Sequence, residues 1–138
     1  MSLGLYLHIP YCFSKCRYCD FYSAPGQRGV PRAYVDALLR ELSRFAPDAP
    51  LRPDTLYFGG GTPSLLDPAD AARLIAAAQP LPGAEITLEA NPETVTEDSL
   101  QAFREAGVNR ISFGVQSARD SQLKTLGRYQ RFCQQGFP

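Results

Sequence analysis

The chain has 138 residues, enough for one domain with a real core and too few for a second. Lysines and arginines total 14, as do aspartates and glutamates, so no long-range field steers the chain toward nucleic acid or anionic lipid. No run approaches the ~18 to 20 apolar residues of a membrane span, and residues 1–10, with His8 and Pro10, do not read as a secretory signal, so the expected setting is soluble and cytoplasmic.

Strand and helix patterns alternate four times, without internal repeats. "LGLYLHI" (3–9) reads as the first strand, followed by a long loop that holds Cys12, Cys16 and Cys19 and then the Pro/Gly-rich "SAPGQRGVP". A helix starting at Pro31 places Val35, Leu38, Leu39, Leu42 and Phe45 on one face, and "PDAPLRP" stops it. "TLYFGGG" (55–61) is the second strand, running into a glycine turn, and Asp67-Pro68 is an N-cap with its first helical residue. Pro80 and Pro82 close that helix. "EITLEANP" (85–92) is the third strand, followed by a helix from Thr96 with Glu97 and Asp98 in its first turn and Gly107 as C-cap. "NRISFGVQS" (109–117) is the fourth strand, and a last helix starting near Ala118 or Arg119 includes Leu123 and Leu126.

Short βα units of this kind are parallel and right-handed. All four strands alternate, with Leu5, Leu7, Ile9, Leu56, Phe58, Ile86, Leu88, Ala90, Ile111, Phe113 and Val115 on one face. Tyr6, His8, Thr55, Tyr57, Gly59, Thr87, Glu89, Asn91, Arg110, Ser112, Gly114 and Gln116 form the other. Helices cover the greasy face, so the polar face looks into a hollow able to hold water or a ligand. The expected architecture is α/β: four parallel βα units in an open arc of a (βα) barrel, with His8, Gly59, Glu89, Asn91 and Gln116 near the C-terminal rim where such folds place their sites.

Cytosolic thiols stay reduced, and clustered ones there hold metals or do redox chemistry. C-x3-C-x2-C supplies three soft ligands in one loop and lacks a fourth. Structural zinc wants a closed set of four. A cubane iron–sulfur cluster on three cysteines leaves one iron open to a small molecule. Iron–sulfur fits best; zinc, with Cys133 as a fourth ligand, and a chance grouping of core cysteines stay open. "GGGTPS" alone could be a strand-to-helix turn, since it lacks the lysine of a phosphate-binding loop. His8 is more often a hydrogen-bonded interior side chain than a ligand.

"GLYLHIPYC", "CRYCDF", "YFGGGTPS", "LEANPE", "GVNRISFGVQS" and "LGR" run in order from residue 4 to residue 128. Together they resemble the radical S-adenosylmethionine (SAM) superfamily, in its oxygen-independent coproporphyrinogen oxidase group. The resemblance implies that Cys12, Cys16 and Cys19 bind a 4Fe-4S cluster whose open iron is chelated by SAM, and that reduction cleaves SAM to methionine and a 5′-deoxyadenosyl radical. It also implies that Tyr6, Gly61 and Glu89 line the SAM site, with Tyr18 beside the cofactor and Thr62 and Pro63 following from "GGGTP". Gln116 and Arg128 match positions that touch a second SAM in the oxidase branch. That branch carries a further cysteine where this chain has Phe21. "HIPYC" and "CDF" instead resemble a haem-chaperone branch, whose implied partners are haem, haem-acceptor proteins and an electron donor. Residues 1–128 thus read as the N-terminal part of a radical SAM core. After "LGR" the family pattern ends: Tyr129 stands where histidine is expected, and 129–138, with Cys133, read as a divergent tail left by a truncation or a changed reading frame. The expectation is that a longer relative carries the function, or that this chain is a remnant without activity.

Overall fold

The computed structural model describes residues 2–128; Tyr129, Cys133 and the rest of the expected tail lie outside the described residues. Four strands, β1 (Gly4–Ile9), β2 (Thr55–Gly60), β3 (Glu85–Ala90) and β4 (Arg110–Phe113), form one parallel sheet in the order β1-β2-β3-β4. The crossovers carry α1 (Arg32–Phe45), α2 (Pro68–Ala78) and α3 (Glu97–Ala106), and α4 (Asp120–Thr125) follows β4. Single 3-10 turns, Pro63–Leu65 and Pro92–Thr94, sit on the rim after β2 and β3. The expected open arc of four parallel βα units is therefore observed.

Register builds the core. Leu7 stands beside Phe58, Phe58 beside Leu88 and Leu88 beside Ile111, giving one apolar row across the sheet. Val35 and Leu42 of α1, Leu74 and Ile75 of α2 and Phe103 of α3 pack in the same cluster. A second row, Tyr6, Tyr57, Thr87 and Arg110, lies on the opposite face, one residue out of phase. The period-2 alternation thus separates a helix-covered side from a polar side.

Local chemistry ends the helices where expected. The Asp67 carboxylate accepts from the Ala69 N–H at 2.8 Å, with Pro68 as the first residue of α2. Thr96 and Ser99 form a reciprocal capping box on α3, and Gly107 closes it at φ 116°. Helix α1 begins at Arg32, one residue later than expected, because Pro31 is extended at ψ 136°.

Two expectations about faces fail. Phe45, placed with the buried stripe of α1, is 76% exposed at the last residue of that helix. The fourth strand stops at Phe113 rather than Ser117, so Val115 belongs to no strand. Only β3 pairs with β4 among the described residues, so its outer edge has no ladder to extend it, and Phe113 is 39% exposed. Substituting Phe58→Ala should therefore cost about 3–5 kcal/mol in denaturant unfolding, whereas Phe45→Ala should stay within about 0.5 kcal/mol.

Candidate cofactor site

The cysteine loop leaves β1 and folds back on itself. The Cys12 N–H donates to the Ala24 carbonyl at 3.0 Å, and the Gln27 N–H donates to the Cys12 carbonyl at 3.0 Å. Beyond this base, the Cys19 N–H reaches the Cys16 carbonyl at 3.0 Å, closing a turn over Arg17 and Tyr18. The Arg17 N–H donates to the Leu126 carbonyl at 3.2 Å, which ties that turn to the end of α4. His8 bonds the Tyr22 carbonyl through Nε2 at 3.2 Å and the Tyr6 hydroxyl through Nδ1 at 3.1 Å, so it is hydrogen-bonded as expected but half-buried rather than interior.

Between this loop and the C-terminal strand ends lies a cavity of about 200 Å³. Cys12, Cys16, Cys19, Tyr18, Lys15 and Phe21 form one wall. Gly61, Thr62, Pro63 and Glu89 form the floor, and Ser112, Gly114, Gln116 and Arg128 close the far side. Every residue that the resemblance assigned to the cofactor site thus lines one cavity, except Tyr6, while His8 and Gly59 of the expected rim do not line it. The Tyr6 ring lies outside the lining, stacked on Tyr57 at 6.0 Å between centroids. All three thiols are free, with Cys12 buried and the other two half-buried. Among the described residues no three His, Cys, Asp or Glu side chains meet closely enough to hold a metal ion, so the thiols share a wall without converging on a point.

Gly61 makes the wall and floor meet. A Cβ there would lie 2.7 Å from both Cys12 Sγ and the Tyr11 carbonyl oxygen, closer than real contacts allow. The Gly61 N–H donates to Ile9 and the Thr62 N–H to Tyr11, at 2.8 and 2.7 Å, so the turn after β2 is seated directly under the cysteine loop. Gly60, at φ 120°, would direct a Cβ into the His8 ring at 2.8 Å.

Glu89 is held through both carboxylate oxygens. Oε1 accepts from the Tyr57 hydroxyl at 2.7 Å and Oε2 from the Gly60 N–H at 3.2 Å. That hydrogen bond, with burial and the carboxylate charge adding to it, raises the Tyr57 phenol above its ordinary value and keeps it a donor. Burial foremost, then the Glu89 charge, raises Tyr6 as well. Tyr18 is raised chiefly by burial, with the nearby Arg128 charge opposing. The Arg128 guanidinium is almost wholly buried. One terminal nitrogen donates to the Gly114 carbonyl, another stands 4.0 Å from Glu93, and Nε has no partner. Gln116 adopts φ 65°, where the chain turns away from β4.

This donor set fits a thiolate-held cluster with an adjoining polar ligand: three soft sulfurs from one loop, a glycine floor that a Cβ would fill, and an unpartnered buried N–H of Arg128. A family model described as "Radical SAM superfamily" matches residues 6–135. The chain belongs to the radical SAM superfamily. Among its radical SAM relatives, "Heme chaperone HemW" of Escherichia coli (strain K12) is 48% identical over 91% of this chain and 35% of that protein. "Radical S-adenosyl methionine domain-containing protein 1, mitochondrial" of Bos taurus is 41% identical over 91% of this chain and 29% of that protein. The solved structure titled "Coproporphyrinogen III oxidase (HemN) from Escherichia coli is a Radical SAM enzyme" superposes with a TM-score of 0.83 at 33% identity, covering 94% of this chain and 31% of that one. The chain therefore spans about a third of the length of these relatives.

Sequence reasoning missed Tyr57 as the partner of Glu89, and Ser112 and Gly114 as part of the far wall. Strand parity put all three on the polar face, but only the β2–β3 and β3–β4 registers bring Tyr57 and Ser112 to Glu89, and a hydrogen bond from Arg128 brings Gly114 to the far wall. Gly61→Ala should lift the cysteine loop off its floor. The expected result is faster alkylation of the buried Cys12 thiol in reduced, cluster-free protein, whereas Gly29→Ala, whose Cβ would meet only the Leu65 carbonyl oxygen at 3.9 Å, should leave the rate unchanged.

Proposed function

We propose that this chain forms the first part of a radical SAM core in which Cys12, Cys16 and Cys19 hold a 4Fe-4S cluster and SAM occupies the cavity beside it. The observation that carries the reading is that three free cysteines of one loop share a cavity with Glu89 and the Gly61 turn. Three thiolates leave one iron of a cubane without a protein ligand. When bound, cluster and SAM together would supply one-electron reductive cleavage of a sulfonium.

The chain's own residues would bind and orient. The turn over Arg17 and Tyr18 is half-exposed and would close on the cluster, while Cys12 stays seated on Gly61. Each Glu89 oxygen accepts one bond within the protein and keeps a lone pair for an ammonium or ribose hydroxyl. Arg128, with its unpartnered Nε, and Gln116 would receive an anionic or carbonyl group on the far side. Tyr18, Thr62 and Pro63 would wall the ligand, and Tyr6 would act from outside through Tyr57 and Glu89.

For the longer protein of which such a core is part, the relatives named as haem chaperones support binding of haem and its transfer to acceptor proteins. Phe21, in place of the oxidase branch's cysteine, favours that reading. The superposition on coproporphyrinogen III oxidase supports a second one, oxidative decarboxylation of a porphyrinogen. Free thiols suit a reducing compartment such as the cytoplasm; no described helix is long and apolar enough to cross a membrane.

Anaerobic reconstitution with iron and sulfide should give about four irons per chain and a paramagnetic signal on reduction that shifts when SAM is added. Cys16→Ala should lose both, and stoichiometric zinc without iron uptake would overturn the assignment. In the reconstituted protein Glu89→Gln should weaken SAM binding by about tenfold, the scale of one charge-assisted hydrogen bond, as read by titration calorimetry. SAM-dependent conversion of coproporphyrinogen by the longer protein would favour the oxidase reading over the chaperone.

A further inference from the structure

The turn that carries Gly61 is not held by the cysteine loop alone. Behind the cavity, the 3-10 turns after β2 and β3 are joined by a closed circuit of side chains. Asn91 Nδ2 donates to Thr62 Oγ1 at 3.1 Å. The Thr94 hydroxyl donates to the Asn91 carbonyl at 2.7 Å, and Ser64 Oγ lies in short contact with Thr94 Oγ1. Because the single Thr94 proton goes to Asn91, Ser64 must be the donor in that contact. The Leu65 N–H returns the circuit to the Thr62 carbonyl at 3.0 Å. Thr62 and Ser64 are almost wholly buried and Asn91 and Thr94 half-buried, so the circuit is partly shielded from water, and an unmet partner at Thr62 or Ser64 costs most.

The circuit connects three rim segments. Through the Thr62 N–H it reaches Tyr11, the residue before Cys12; through Asn91 it reaches the strand end that carries Glu89. Ser64 and Thr94 do not line the cavity, and nothing in the proposed chemistry uses them. The Thr62 hydroxyl, at the cavity edge, accepts from Asn91.

We propose that Ser64 and Thr94 are positioning residues: a part-buried clasp that sets where the Gly61 turn and the Cys12 base lie relative to Glu89. Thr62 belongs to the clasp and acts through the place it gives the turn. The functional meaning of the clasp rests on the cofactor reading above, but its existence can be tested without any cofactor.

Hydrogen exchange on the cluster-free 138-residue chain is the test. Thr94→Val removes the hydroxyl at nearly equal shape. Exchange of the Gly61 and Thr62 amides should rise about tenfold, the effect of one buried hydrogen-bonding group left unmet. Amides of α1 should keep their rates, and Thr94→Ser, which retains both bonds, should match the parent. Should Thr94→Val prevent folding, Ser64→Ala deletes only the outer bond and is read at the same amides. Unchanged rates at Gly61 and Thr62, a uniform rise across the chain, or a Thr94→Ser variant as fast as Thr94→Val would each overturn the proposal. Loss of iron binding with the clasp intact would instead strike the cofactor reading.

Discussion

The site depends on one contact: the backbone of the turn after β2 lies against the base of the cysteine loop with no side chain between them. Two N–H groups, of Gly61 and Thr62, are spent on the carbonyls of Ile9 and Tyr11, and the missing Cβ of Gly61 leaves the space that Cys12 Sγ occupies. A loop of this length, free of regular structure, would otherwise sample many arrangements. The contact converts it into a wall whose first thiol is buried and whose later thiols remain reachable. That division suits a loop with one fixed ligand and a turn that closes on its cargo.

The hollow in front of that wall follows from strand parity. A sheet buried on both faces reads as continuous apolar sequence, yet here Tyr57, Thr87, Glu89 and Arg110 alternate with Phe58, Leu88 and Ile111. Polar groups on the free face satisfy one another across strands, as Tyr57 with Glu89 and Arg110 with Thr87. A carboxylate can sit in such a face because it is already met by a phenol and a backbone amide, which lowers the cost of partial burial without using its whole accepting capacity.

Features governed by neighbours in sequence were legible before the structure: Asp67-Pro68 and Thr96 as helix starts, Gly107 as a stop, the alternation of all four strands, and the grouping of three cysteines in one loop. Features governed by distant partners were not. The extent of β4 depends on its partner β3, which ends at Ala90 opposite Phe113, so no pattern within "NRISFGVQS" shows that pairing ends at Phe113. Phe45 fits its helical stripe and yet is exposed at the helix's last residue, where no buried neighbour among the described residues covers it. Tyr6 shares the parity of Glu89, but it lies on the outermost strand, two positions along the row from β3, and so reaches the cavity only by way of Tyr57.

The same distinction explains why serine and threonine on the rim carried no signal. Ser64 and Thr94 are 30 residues apart in two short turns of unremarkable composition, and each alone would be taken for a solvated loop hydroxyl. Their meaning arises only when β2 and β3 pair in register, Thr55 against Glu85 and Phe58 against Leu88, because that register fixes how far each rim turn projects beyond the sheet. Equal projection brings the two hydroxyls into contact behind the cavity, while the carboxylate and the glycine turn face each other in front of it. Sheet register, set by the apolar row on the covered face, therefore governs the polar geometry on the open one.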